Sequence, residues 1–127
     1  MEHEPLAARI SRRAVLAGLE PQPALTGRLA AYVELLQRWN ARLNLTALDD
    51  SDHGLDRLVI EPLAAARHVP RATLNVIDIG SGSGSPAIPL RIALGGTRLV
   101  LVEARQRKAA FLREAVRRLE LADCTVE

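Results

Sequence analysis

An α/β chain, with three parallel strands preceded by an N-terminal helical arm, is what the sequence predicts. Three observations carry that expectation. Through residue 71 the apolar residues recur at steps of three and four, the period of helices with one buried face. After residue 71 short runs of branched residues alternate with helix-period segments, the pattern of a parallel, doubly wound sheet. A glycine-serine turn, Gly80 to Ser85, joins the first of these runs to the helix that follows. Residues 1–71 are therefore read as the helical region and 72–127 as the sheet region.

Each element has its own signal. A first helix is expected from Leu6 to Leu19, stopped by Pro21 and Pro23. A second runs from about Ala24 to Leu43, with Leu25, Leu29, Tyr32, Val33, Leu36, Trp39 and Leu43 on one face. Asn44 to Leu48 is a loop by composition. Asp49 to Ser51 can cap a third helix reaching about Arg67, which Pro62 should kink or break. Leu74 to Ile79 reads as a buried parallel strand, and Pro86 opens a helix to about Leu94. Arg98 to Glu103 is a second strand. Gln106 to Leu121 is an amphipathic helix with Ala109, Leu112, Val116 and Leu119 inward, and Cys124 starts a third strand.

Composition removes several classes. The 127 residues are 48% hydrophobic and 25% charged, which excludes disorder over the whole length. Lys and Arg number 17 against 15 acids, too even a balance to diagnose nucleic acid, although all the bases except Lys108 are arginine. Aromatics are only Tyr32, Trp39 and Phe111, which argues against stacking platforms for single strands. The single Cys124 excludes an internal disulfide framework and a thiolate zinc site. Its place at the start of a strand suits a small buried hydrophobe. His3, His53 and His68 show no ligand spacing, so no metal is expected. No run is apolar enough to span a membrane. Ser11-Arg12-Arg13 resembles a twin-arginine export signal, but the apolar stretch after it, Ala14 to Leu19, is too short. Two exposed arginines on an amphipathic helix and a cytoplasmic chain are expected instead.

The segment that carries chemistry is Asp78-Ile79-Gly80-Ser81-Gly82-Ser83-Gly84. It ends a strand and opens a helix, the place where open α/β sheets bind nucleotides. Glu103 ends the next strand, where an acid can accept both ribose hydroxyls of an adenosine. A phosphate loop needs Gly-Lys-Ser/Thr, and Gly84-Ser85-Pro86 fails that test. A dinucleotide fingerprint fits poorly, because Ser85 stands where its third glycine or alanine belongs. Asp78 would repel a pyrophosphate and favour a cationic ligand. S-adenosylmethionine, with its ammonium and sulfonium, matches. The plain alternative is a glycine turn that only joins two elements.

On those residues the chain resembles the glucose-inhibited division protein B family, the small-subunit ribosomal RNA guanine-N7 methyltransferases, over about Tyr32 to Glu127. Three segments carry the resemblance: Trp39-Asn40 to Asn44-Leu45-Thr46-Ala47, Val76 to Leu90 with its two prolines after the glycines, and Arg107-Lys108-Ala109-Ala110-Phe111-Leu112. The resemblance implies a class I methyltransferase (Rossmann-like) half-sheet with S-adenosylmethionine as methyl donor. Asp78, Gly80, Ser81, Gly82 and Gly84 would line the methionine end of the donor, and Glu103 would hold its ribose. Arg107 and Lys108 would contact ribosomal RNA phosphate, and Asn44 and Thr46 would sit at the pocket mouth. No catalytic acid–base pair is expected, since guanine N7 already presents an in-plane lone pair. Between Arg105 and Arg118 six bases face Glu114 alone, which gives either a docking surface for RNA or a solvated helix face.

The chain departs from the family pattern at named places. Ser85 and Ala87 stand where the family usually has an aromatic or large apolar residue and a second glycine. Leu58, Glu61 and Pro62 replace the histidine, aspartate and serine of its Arg-His-x-x-Asp-Ser stretch. Family members also continue for several strands beyond the position of Glu127, so 72–127 is read as an incomplete S-adenosylmethionine-binding part. In the usual strand order the Val76–Ile79 strand lies mid-sheet; here it would present a bare apolar edge, open to self-association. A non-catalytic cofactor-binding or interaction fragment and a small-molecule methyltransferase are the alternative functions.

Overall fold

The computed structural model describes residues 4–127; His3 lies outside the described residues. The elements run α1 (Leu6–Leu16), α2 (Pro23–Asn40), α3 (Asp52–Leu55), a π turn (Asp56–Ile60), α4 (Glu61–Ala66), β1 (Asn75–Ile79), α5 (Ala87–Leu94), β2 (Arg98–Val102), α6 (Gln106–Arg118) and β3 (Cys124–Val126).

The first helix stops at Leu16, and a glycine stops it before the prolines are reached. Gly18 adopts φ +83°. The Leu19 N–H donates to the Ala14 carbonyl and the Gly18 N–H to the Val15 carbonyl, both at 2.9 Å. That pair of bonds is the closure a left-handed residue gives a helix end. It turns Leu19 inward, where it is buried. Pro23 instead opens α2, at the first helical position.

The third predicted helix forms with its cap and its break. The Ser51 hydroxyl accepts the Gly54 N–H at 3.2 Å. The helix then widens into the π turn, where the Glu61 N–H reaches back to the Asp56 carbonyl, just before Pro62. Pro62 has no N–H for the Leu58 carbonyl four residues back.

The arginine pair divides. Arg12 is exposed and meets Glu4 at 2.5 Å. Arg13 is half-buried rather than exposed. It donates through Nε and Nη2 to both carboxylate oxygens of Asp56, at 3.0 and 2.7 Å, and so ties α1 to the π turn. The bond holds the Asp56 carboxyl below its usual range.

The sheet is parallel in the order β1-β2-β3. Val76 pairs with Leu99, Asp78 with Leu101, and Leu99 with Cys124. Both crossovers step the same way, so right-handed connections place α5 and α6 on one face. Leu99 and Leu101 are buried beneath them. On the opposite face Ile77 and Ile79 are 64% and 75% exposed, and among the described residues β1 is an edge strand of the sheet. One hydrophobic cluster joins both halves of the chain, with Ile10, Leu29, Tyr32, Leu55, Ile88, Leu101 and Phe111 among its members. Arg28 of α2 donates to the Leu119 carbonyl at 2.8 Å and so caps the end of α6.

Candidate functional site

The glycine loop leaves the C-terminal end of β1 and is fixed first by β2. The N–H groups of Gly80 and Ser81 both donate to the Val102 carbonyl, at 2.8 and 3.1 Å. Gly80, Gly82 and Gly84 take φ of +74°, +52° and +85°, a region closed to most side chains. A Cβ at Gly80 would meet nothing within 4 Å, and one at Gly82 only the Gly80 carbonyl at 3.9 Å. These two keep the outer face of the loop open. Gly84 differs: a Cβ there would lie 2.7 Å from Ile88 Cδ1 and 3.3 Å from Leu112 Cδ2. It is spent on the close approach of loop, α5 and α6. Ser81 is buried, with its hydroxyl donating to the Asp78 carbonyl at 3.1 Å, and Asp78 is half-buried at the strand end.

Glu103 follows β2 directly and reaches the loop. Its Oε1 accepts the Gly82 N–H and its Oε2 the Arg105 N–H, each at 2.9 Å. The Arg105 bond, then the Gly82 bond, with Lys108 and Arg105 nearby, hold its carboxyl below the usual range. It is therefore ionised at neutral pH. Each oxygen keeps a further lone pair for an external donor.

Two more residues fasten the loop, and sequence reasoning missed both roles. Tyr32, read only as part of the apolar face of α2, is fully buried and donates its phenol to the Ser83 carbonyl at 2.8 Å. Burial pushes that phenol above its ordinary range. A phenol tip on a mostly aliphatic face was the available signal, since such a tip needs a partner. Ser85 donates its hydroxyl to the Leu58 carbonyl at 2.8 Å, the group that Pro62 leaves unserved.

Beside the loop lies an open cleft of about 410 Å³, bordered by Thr46, Leu58, Glu61, Pro62, Ser83 and Ser85. Thr46 is held there by Asn40 of α2, whose amide donates to the Thr46 carbonyl at 3.0 Å and accepts its N–H at 2.9 Å. Asn44 is exposed, has φ +24°, and does not border this cleft.

Helix α6 begins next to Glu103 with Arg107 exposed and Lys108 half-buried. It has no acid in its first turn and no side-chain cap. Positive charge there opposes the helix dipole, at a cost of about 0.3–1 kcal/mol per group. At its other end Glu114 engages Arg117 at 2.5 Å and Arg118 at 4.0 Å, so that part of the basic run is partnered. Among the described residues no group of three His, Cys, Asp or Glu side chains is placed to hold a metal. His53 and His68 are exposed. Cys124 is half-buried, and desolvation raises its thiol above the ordinary range, as for an inert small hydrophobe. Among the described residues no helix is long and apolar enough to cross a membrane.

A family model described as "GidB: rRNA small subunit methyltransferase G" matches residues 26–126. The Ribosomal RNA small subunit methyltransferase G of Stenotrophomonas maltophilia (strain K279a) is 39% identical over 128 residues, which cover 99% of this chain and 59% of the relative. The protein of that name from Chloroflexus aggregans is 45% identical over 95 residues, 75% of this chain and 40% of the relative. That from Nitrosomonas eutropha is 33% identical over 112 residues, 87% and 51% respectively. The chain thus spans about half the length of the curated relatives it matches.

Proposed function

The chain belongs to the GidB family of small-subunit rRNA methyltransferases, matched over residues 26–126, and from that membership we propose that it binds S-adenosylmethionine at the glycine loop and serves methyl transfer to guanine N7 of small-subunit ribosomal RNA in the cytoplasm. The observation that carries the reading is the Glu103 carboxylate, 2.9 Å from the Gly82 N–H, beside a loop face that side chains at Gly80 or Gly82 would fill. The donor, when bound, supplies a sulfonium methyl whose S–C bond breaks as the guanine lone pair forms the new N–C bond. Glu103 accepts the ribose hydroxyls, and Asp78 offers negative charge to the ligand's cationic end. Gly80, Ser81, Gly82 and Gly84 shape the cradle between them. Thr46, with Asn44 further out, borders the approach for the base. Arg107 and Lys108 draw RNA phosphate to the start of α6. No residue takes a proton, so the chain contributes position and exclusion of water.

Calorimetry on the chain tests the donor, and labelled methyl transfer to small ribosomal subunits lacking the mark tests the reaction. Glu103→Gln should weaken donor binding about 10–100-fold, the loss expected when charge-assisted bonds of about 1.5–3 kcal/mol are weakened. Uptake of a nicotinamide dinucleotide with none of S-adenosylmethionine overturns the proposal. Binding without transfer favours a cofactor-binding fragment, and transfer to a metabolite alone favours a small-molecule enzyme.

A further inference from the structure

We propose that Glu61, steadied by Arg57, is the residue that selects guanine in the cleft beside the glycine loop. This deepens the methyltransferase reading and rests on it only for which edge of the base turns toward the methyl donor. The cleft is open and about 410 Å³ in volume, within the range of sites that hold small molecules. Ser83, Ser85 and Pro86 of the loop border it, and so do Arg57, Glu61 and Pro62 of the kinked helix. Among the described residues Glu61 is the one carboxylate on its border. Asp56, the nearest acid before it in the chain, is taken by Arg13, which donates to both its oxygens. The Glu61 side chain is 59% exposed, and its Oε2 lies 3.1 Å from Arg57 Nε, four residues back. That contact steadies the carboxylate and leaves Oε1 and a lone pair of Oε2 for an outside donor. The helix widens into the π turn immediately before Glu61, a distortion that recurs at functional sites.

Hydrogen-bond chemistry selects the occupant. A carboxylate accepts and does not donate, so it matches an edge that carries two neighbouring donors. Among the RNA bases guanine alone has one, the N1–H beside the N2 amine. Adenine and cytosine present a donor beside an acceptor there, and uracil one N–H between two carbonyls. The lone pair of adenine N1 or cytosine N3 would be repelled by Glu61. This edge is also the one that reaction at N7 leaves free. N7 lies on the other side of the fused rings, so a guanine whose N1–H and N2 amine meet Glu61 turns N7 away from the carboxylate. An extruded base is read in this way, through its Watson–Crick edge and with apolar groups against its faces. Leu48, Pro62 and Pro86 supply such groups on the cleft border. Glu61 takes no proton and touches no reacting atom; it fixes which base enters and how it is turned.

The test uses the full chain with guanosine, inosine and adenosine monophosphates at millimolar concentration, ranked by saturation-transfer NMR. All three carry the same phosphate, so the ranking reports the base. Guanosine monophosphate should bind about five- to a hundredfold more tightly than adenosine monophosphate, the discrimination of one two-bond base contact. Inosine monophosphate lacks the N2 amine and should fall between them. Glu61→Gln puts one acceptor and one donor in place of the carboxylate, which match adenine's N6–H and N1, so it should erase the preference or reverse it. Glu61→Asp should keep guanine first. Both substitutions fall on an exposed side chain, and an unchanged melting temperature shows that the fold is kept. The proposal is overturned if the wild-type chain binds no guanosine monophosphate, if it ranks the three alike, or if Glu61→Gln keeps the guanine preference. It is overturned equally if Glu61→Gln weakens uptake of S-adenosylmethionine and leaves the base ranking as it was, because the carboxylate then serves the donor's ammonium. Calorimetry with S-adenosylmethionine on the same samples separates the two readings. Donor uptake without a guanine preference sinks the role of Glu61 alone. A guanine preference that Glu61→Gln abolishes, with no donor uptake, leaves base selection standing and sinks the cofactor loop.

Discussion

Tyr32→Phe asks whether the helical arm positions the glycine loop or merely covers the core. The substitution keeps the ring and its packing, so no cavity forms, and removes one hydroxyl that donates to the Ser83 carbonyl at 2.8 Å in a fully buried position. The net value of such a bond is about 0.5–1.5 kcal/mol, and an acceptor left without a partner costs about 1–3 kcal/mol. Ser83 is only half-buried, so water reaches part of the deficit and the loss falls near the lower end, about 1–2 kcal/mol. For a chain of this length that is a Tm drop of roughly 3–10 °C, read by thermal melting. The functional consequence is separate. A loop released on one side must be ordered again on binding, so S-adenosylmethionine affinity should fall about five- to tenfold by calorimetry. Ser83→Ala keeps the carbonyl and removes only the hydroxyl that the Ser85 N–H reaches at 3.4 Å, so it should lower both quantities by less than Tyr32→Phe does. If Tyr32→Phe lowers Tm but leaves donor affinity unchanged, the hydroxyl is a core contact and the positioning argument is wrong. If neither moves, the bond itself is worth nothing.

Other consequences follow from the same geometry. Ser85→Ala strips the Leu58 carbonyl of its donor and should cost about 1–2 kcal/mol in urea unfolding; with Pro62→Ala, which restores a helical N–H, that cost should largely vanish. Gly80→Ala should lose only the backbone penalty of about 1–2 kcal/mol, whereas Gly84→Ala adds overpacking against Ile88 and Leu112 of about 1–3 kcal/mol more, an order that denaturant midpoints can check. The Asp56 carboxyl is held below its unfolded value first by the bond from Arg13. Its contribution is therefore complete above about pH 4 and is lost as pH falls through the lower folded value; Asp56→Asn should flatten that part of the stability profile in acid denaturation. The exposed Ile77 on the β1 edge should drive concentration-dependent association in sedimentation velocity, abolished by Ile77→Lys, and a monodisperse wild-type chain at high concentration would refute it.

Much of the fold was legible because its signals are local. Period-three-and-four spacing sets α2, branched runs set β1 and β2, and the glycine triplet marks the loop between them. What escaped reading is decided by partners distant in sequence or by competition between neighbours. Arg13 meets Asp56 across 43 positions, and nothing near either residue announces the pair. Gly18 ends α1 before the more conspicuous Pro21 and Pro23 can act. In the loop, composition gave three equivalent glycines, yet Gly80 and Gly82 face open space while Gly84 is packed shut. A φ above zero is common to all three; only the neighbours tell an open loop face from a close packing contact.

Proline at 62 and serine at 85 make physical sense together. Proline at 62 removes an N–H from the helix and leaves the Leu58 carbonyl without its intrahelical partner. A large apolar side chain at 85 would leave that carbonyl unserved beside the cleft, at a cost of about 1–3 kcal/mol. Serine at 85 supplies the donor instead, at 2.8 Å, and in doing so ties the loop to the kinked helix. The loop is then held from three directions: by Tyr32 of α2, by the carbonyl of Leu58, and by Glu103 after β2. Two of the three anchors come from before residue 71. The helical region is therefore part of the loop's own framework, and preorganisation of the loop, which the proposed binding of the methyl donor would draw on, is built from both halves of the chain.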